Sequence, residues 1–311
     1  NMVLQTKSTK RGVVSIDLDE TWMYHQIHGL SSLDDSKAGP VMQKGLKRFV
    51  QIMDDLQIPA TIFVVGKEIA KTDNQMTLLQ NVTLETHEIA NHSMNHPYQF
   101  HLLSFKKKRE EILLAAQEIE NVTKKKVNGF RAPGYQFDSE TFSLLQEMNY
   151  HYDASLLPSL PYYFARRIIL QWYALQKRNS HSHRGHIKNF FHKSNPRRIS
   201  NHFWQLPIGT FPYLRIPCIG TTLAMLPKKL IQPICRHTFA KNSYFDIEFH
   251  GLDFLDVKKD DIEPQLVSLH KELQKSIEQR LELFFLVLKE FKRRYEIRTI
   301  ADHVSSLESS I

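Results

Sequence analysis

Strand-like and helix-like segments alternate along most of this chain, and that alternation restricts its fold more than any other feature. Residues 12–17 (GVVSID) form a short β-branched run ending in acids, and 60–65 (ATIFVV) is continuously apolar. Such a run suits a strand buried on both faces of a parallel sheet. Further strands are predicted over 88–91 (strand or turn), 128–131, 151–155, 244–249 and 296–300. Helical spacing falls between them, over 41–56, 105–122 and 139–148, the last with Asp138 as N-cap. Residues 261–295 read as one long charged helix, and a short helix ends the chain. Strands separated by helices imply repeated βαβ units, hence an α/β fold with a parallel sheet. In α/β barrels the chemistry sits at the C-terminal strand ends, which is where the acids and histidines fall. We expect one barrel over 1–311, with 158–201 interrupting the alternation as an insertion or lid.

The formal net charge of +8 is concentrated in one place. Residues 154–245 contain 14 Lys and Arg and no Asp or Glu, so the remainder is mildly acidic. A basic block of this kind predicts a local contact with an anionic partner, such as phosphate, a membrane surface or nucleic acid. Two cysteines, Cys218 and Cys235, cannot build a disulfide framework or a four-thiolate metal site. No apolar run approaches membrane-spanning length, and residues 2–20 carry no signal-peptide core. These features predict a cytoplasmic chain, peripheral on the inner face of the membrane if it meets one.

Asp17 and Asp19 stand two apart at a strand end, so both carboxylates share one face. One can bind a metal while the other stays free as a base; taken alone, they are equally two solvated loop acids. His92 and His96, in NHSMNHP, would converge on one ion if they sat on a helical turn. With one carboxylate they make an Asp-His-His set, which leaves zinc an open position for water. Arg131 lies in GFRAPGY, where Pro133 stiffens the turn and Gly134 permits close backbone approach. His250 follows an apolar strand in DIEFHGLD and is either a partly buried histidine or a general acid.

The order IDLDE, HEIANHSMNHP, GFRAPGY, YDAS and FDIEFHG resembles the polysaccharide deacetylase superfamily, the NodB-homology fold of carbohydrate esterase family four. The resemblance spans residues 12–155 and 203–303 and implies a distorted (β/α)7-type barrel. It further implies a metal-dependent N-deacetylase of amino sugars that uses Zn2+ or another divalent metal. Under it, Asp17 matches the base, His92 and His96 the metal ligands, Arg131 the partner of the base and His250 the general acid. Asp153 is then the candidate to orient His250, and the Gly134 N–H a donor to the oxyanion. The commonest family pattern has adjacent aspartates; here Leu18 intervenes, and Asp19 becomes the third ligand. The residue after the proline is usually aromatic, whereas here Gly134 precedes Tyr135, which changes the expected sugar subsite.

On a helical wheel, residues 161–178 place Tyr162, Phe164, Ile168, Ile169, Trp172 and Tyr173 on one face. Arg166, Arg167, Lys177 and Arg178 lie opposite. That is the pattern of an interfacial helix on anionic lipid, and equally of a helix packed on its own barrel. His181, His183, His186 and His192 follow in a polar stretch that reads as a solvated loop or a second metal site. Leaving a strand end, the insertion is expected to overhang the site. In that respect the chain is similar to the branch of the family that deacylates lipid-linked amino sugars. The expected substrate is an N-acylated sugar on a lipid-linked or membrane-surface glycan precursor. The alternatives are peptidoglycan or another poly-N-acetylglucosamine, and a non-catalytic basic binder of nucleic acid, which the intact Asp, His, His, Arg and His set disfavours.

Overall fold

A computed structural model describes residues 10–175 and 194–309. Among them, nine strands form one sheet: β1 (Arg11–Asp17), β2 (Thr61–Val64), β3 (Glu88–Asn91), β4 (Gly129–Phe130), β5 (Tyr152–Leu156), β6 (Arg197–Ser200), β7 (Phe203–Pro207), β8 (Tyr244–His250) and β9 (Glu296–Ile297). The spatial order is β6-β7-β5-β4-β3-β2-β1-β8, with β9 beside β1. The run from β7 to β8 is parallel throughout, whereas β6 joins β7 antiparallel. Seven parallel staves in a curled sheet are the expected distorted (β/α)7-type barrel. Parallel staves need helical crossovers that cover the sheet, and β1, β2 and β5 are accordingly buried almost throughout.

The helices are α1 (Thr21–His28), α2 (Leu46–Asp55), α3 (Gly66–Ile69), α4 (Thr72–Asn81), α5 (Phe105–Thr123), α6 (Ser139–Glu147), α7 (Leu160–Leu175), α8 (Gly220–Met225), α9 (Lys228–Lys241), α10 (Pro264–Leu269), α11 (Ile277–Lys292) and α12 (Ile300–Glu308). Asp138 caps α6 as expected, accepting from the Thr141 N–H at 2.9 Å. Phe239, Phe245 and Phe291 pack as edge-on and tilted rings beneath α9 and α11. None of the described helices is long and apolar enough to cross a membrane.

Two expectations fail locally. The long helix over 261–295 is interrupted: α10 ends at Leu269 and α11 starts afresh after Ser276. Ser276 and Gln279 form a reciprocal capping box that satisfies the orphan N–H groups of a new helix start. The strand expected over 296–300 stops at Ile297, because Thr299 caps α12. In addition, β6, β7 and α9 lie inside the basic block, where charge obscures the alternation.

The barrel closes between β7 and β8 through the chain just beyond β7. The Gly209 N–H donates to the Asp246 carbonyl at 2.9 Å. A Cβ at Gly209 would stand 2.4 Å from that carbonyl oxygen and 2.6 Å from the Phe245 ring. Only glycine lets the two backbones approach so closely. Gly209→Ala should therefore cost about 1–3 kcal/mol, as overpacking does, read as a lower urea midpoint; an unchanged midpoint would show that this contact does not close the barrel.

Candidate active site

The register of the sheet assembles the site. Asp17, the last residue of β1, stands opposite Phe63 of β2 and His250 of β8. The ends of β3 and β4 meet at Asn91 and Phe130, so the segments after them, carrying His92 and Arg131, emerge side by side. All these residues sit at C-terminal strand ends, around a cavity of about 350 Å³ that Asp17, Asp19, Gly134, Tyr135 and His250 help to line.

Asp19, His92 and His96 converge, but not on a helical turn. The backbone leaves β3 through left-handed residues at Ser93 (φ 64°) and His96 (φ 52°). The buried Asn91 side chain accepts from the Ser93 N–H at 2.8 Å, and Ser93 Oγ accepts from the His96 N–H at 3.1 Å. These local bonds compete with helix and fix a tight loop. His92 Nδ1 donates to the Arg131 carbonyl at 2.7 Å, which leaves Nε2 as a lone pair. His92 Nε2 and His96 Nε2 lie 3.2 Å apart, and each is 3.1 Å from Asp19 Oδ1. Asp19 Oδ1 is buried and accepts no hydrogen bond. Two imidazole nitrogens and an orphaned carboxylate oxygen, all within 4.8 Å, are a donor set that fits a divalent metal. Burial opposes ionisation of Asp19, yet His96 and His92 hold its carboxyl well below the usual range.

Asp17 stands 3.6 Å from His92 Nε2 through Oδ2, but its other oxygen faces a second set of partners. Arg131 Nη1 donates to Asp17 Oδ1 at 2.7 Å, and Nη2 donates to Ser15 Oγ at 3.0 Å and to Asp246 Oδ2 at 3.1 Å. Nη1 also reaches Glu248 Oε1 at 3.3 Å, and Nε donates to the Ala154 carbonyl at 2.9 Å. The guanidinium lies over the Phe63 ring, 4.2 Å from its centroid. Against burial, Arg131, with His92 and His250, holds the Asp17 carboxyl below its ordinary value. Burial instead lifts Asp246 to about 6 and Glu248 well above the carboxylate range.

Several expected residues sit elsewhere than anticipated. Asp153 does not orient His250: it accepts from Ser155 Oγ and, at 3.2 Å, from Gln205 of the neighbouring strand. With little but hydroxyl and amide partners, burial raises its carboxyl to about 6. His250 instead has its Nε2 3.3 Å from Tyr135 Oη, and its backbone N–H donates to Asp253 at 2.8 Å. Arg280 secures the turn after β8 by donating to the Asp253 and Leu255 carbonyls. Tyr135, expected in a sugar subsite, turns its hydroxyl inward to Glu248, and Gly134 adopts a left-handed φ of 57°.

Helix α7 borders the cavity through Ala165, Arg166, Ile169 and Leu170. Its orientation differs from the wheel. Tyr163 and Arg166 face inward and are buried, because Tyr163 donates to the Leu157 carbonyl and Arg166 to the Gly134 carbonyl at 3.0 Å. Arg166 is therefore a cavity residue and not an outer-surface one, whereas Arg167 is exposed. Phe164 and Ile168 point outward, 53% and 64% exposed. Lys177, Arg178 and the four histidines from His181 to His192 lie outside the described residues, as does the side chain of Trp172.

Sequence reasoning missed Asp246 and Glu248. Their signal was present: in FDIEFH, Asp246, Glu248 and His250 alternate along one strand face. It also missed Tyr24, Tyr98, His270 and Glu272, which line the cavity from loops and a helix without a common period.

Residues 30–152 match the family model described as polysaccharide deacetylase. The peptidoglycan deacetylase of Helicobacter pylori is 29% identical over 154 residues, covering 48% of this chain and 50% of its own. A chitooligosaccharide deacetylase from Bradyrhizobium is 40% identical over 48 residues, 15% of this chain and 20% of its own. The chain thus spans half or less of the length of these curated relatives. A solved structure of a candidate polysaccharide deacetylase from Mycobacterium smegmatis superposes with a TM-score of 0.59 at 13% identity, over 98% of this chain and 92% of that one. At that identity the likeness speaks to fold alone. Residues 30–152 thus carry the match to the polysaccharide deacetylase family, and the fold of the whole chain resembles that of the Mycobacterium smegmatis protein.

Proposed function

We propose that this chain is a metal-dependent hydrolase that removes an N-acyl group, acetyl or formyl, from an amino sugar. The observation that carries the reading is the division of the site into two clusters on one cavity: Asp19, His92 and His96 as a donor set, and Asp17 on Arg131 as a separate carboxylate. Zn2+ or another divalent metal held by Asp19, His92 and His96 would polarise the amide carbonyl and acidify a water. Asp17, kept ionised by Arg131, accepts the proton of the attacking water. His250, at the cavity edge, protonates the leaving nitrogen. The Gly134 turn offers backbone N–H groups near the developing oxyanion. The C–N bond breaks, water supplies the new C–O bond, and the products are an amine and a carboxylate.

The names of the curated relatives favour an N-acetylated glycan such as peptidoglycan or a chitooligosaccharide. One observation supports a lipid-linked or membrane-surface precursor instead. Beside the cavity, α7 turns Phe164 and Ile168 to solvent next to the exposed Arg167, the chemistry of an anionic lipid surface.

Asp17→Asn and His250→Ala should each lower kcat by about 100-fold or more with the fold retained by circular dichroism; turnover near wild type in either would remove that residue from its role. His92→Ala should lose the bound divalent metal by elemental analysis, and chelation of the wild type should abolish activity until metal is restored. Full metal occupancy in His92→Ala would mean that the donor set is another one. Co-sedimentation with phosphatidylglycerol vesicles separates the substrate readings: binding that is lost in Phe164→Ser/Arg167→Glu favours the membrane surface. No binding, with hydrolysis of soluble chitooligosaccharides, favours the free glycan.

A further inference from the structure

Besides His250, two further histidines line the cavity, His28 and His270. His28 is the last residue of α1, and His270 directly follows α10, 242 positions further along the chain. Their Nε2 atoms nevertheless stand 3.0 Å apart, with the rings edge to face at a centroid distance of 5.1 Å. Behind His270, the Glu272 carboxylate accepts from Nδ1 at 2.6 Å. Tyr24 meets the same ring edge-on, with centroids 5.4 Å apart. The side chains of His270 and Glu272 are only 15% and 4% exposed. The reaction above uses none of these groups.

With its Nδ1–H given to a carboxylate, a neutral His270 presents Nε2 as a lone pair. A carboxylate behind an imidazole fixes the ring and raises its basicity as a ligand. His28 Nε2 is aimed at the same point: in one tautomer it donates its hydrogen to His270, and in the other it presents a second lone pair. A cation about 2.1 Å from each nitrogen would see the two at roughly a right angle, the cis angle of an octahedral or square-planar ion. Imidazole donors suit Ni2+, Cu2+ and Zn2+, whereas Mg2+ and Ca2+ prefer oxygen. The surroundings favour positive charge. Both histidines stand at the carbonyl ends of helices, α1 and α10. Against burial, the His270 ring holds the Glu272 carboxyl below its ordinary value. Arg280, the nearby cation, is turned to the Asp253 and Leu255 carbonyls.

We propose that His28 and His270 form a second site, separate from Asp19, His92 and His96, for a late transition-metal divalent cation, with Glu272 fixing the His270 tautomer. Two nitrogens leave the other positions of the ion to water. Both sites open on one cavity of about 350 Å³. An ion at His28 and His270, with its waters, therefore fills space that a substrate would take, and its binding slows hydrolysis. The slowing rests on the deacylase reading above; the binding does not.

Ni2+ titrated by calorimetry into metal-stripped, untagged His92→Ala tests the site without the first donor set. His28→Gln and His270→Gln, each added to that background, should remove one Ni2+ site, and Glu272→Gln should weaken it by about 10-fold or more. Circular dichroism checks the fold; should His270→Gln not fold, His28→Gln, at the half-exposed end of α1, decides alone. Unchanged Ni2+ binding in His28→Gln overturns the proposal. So does a Ni2+ site that is lost only when His181, His183, His186 and His192 are replaced. In turnover of N-acetylglucosamine oligomers by zinc-loaded wild type, added Ni2+ should inhibit, and His28→Gln should abolish the inhibition; equal inhibition in both overturns the role in closing the cavity. A wild type that binds Ni2+ through His28 but hydrolyses no N-acyl sugar overturns the deacylase reading and leaves the site standing.

Discussion

The buried guanidinium of Arg131 is the contact on which the rest of the site depends. Its five donors reach Asp17, Glu248, Asp246, Ser15 and a backbone carbonyl, tying β4 to β1, β5 and β8. Such a cluster is costly to desolvate, and it persists because nearly every donor finds an acceptor. Removing the cation would leave carboxyls uncompensated in the barrel interior, which costs about 3–5 kcal/mol. The carboxyls nevertheless respond differently. Asp17 is held ionised by the shortest contact, while burial wins at Asp246 and Glu248. One cation thus stands among three acids of which one is held low and two are raised by burial.

This sorting sets carboxyls of opposite pKa tendency within one buried cluster. Asp17 and Asp19 are two residues apart and both are buried, yet their partners divide them. The guanidinium claims one, and two imidazoles claim the other. Strand alternation supplies a shared face, and the loops after β3 and β4 supply the separate partners.

Much of this was legible in the residues alone. The parallel barrel could be read from β-branched runs and helical spacing, because a strand buried on both faces has few ways to be written. Asp19, His92, His96 and Arg131 could be read because their motifs are contiguous. What stayed hidden depended on geometry that spacing does not encode. His92 and His96 converge through two left-handed residues and an asparagine side chain, not through helical periodicity. Asp153 was misassigned because strand register turns it toward Gln205. A helical wheel ranks polarity but does not say which side meets the barrel, and Arg166 lines the cavity where the Gly134 carbonyl accepts its hydrogen bond.

The bond from His92 to the carbonyl of residue 131 has one more consequence. The main chain of that residue holds the His92 imidazole, while its side chain holds the Asp17 carboxylate. Side-chain replacement can release Asp17 and spare the imidazole, but no displacement of the backbone there can move one without the other. The two clusters are thereby kept in mechanical alignment by a single residue, so a loop shift that spoils the geometry of one spoils both.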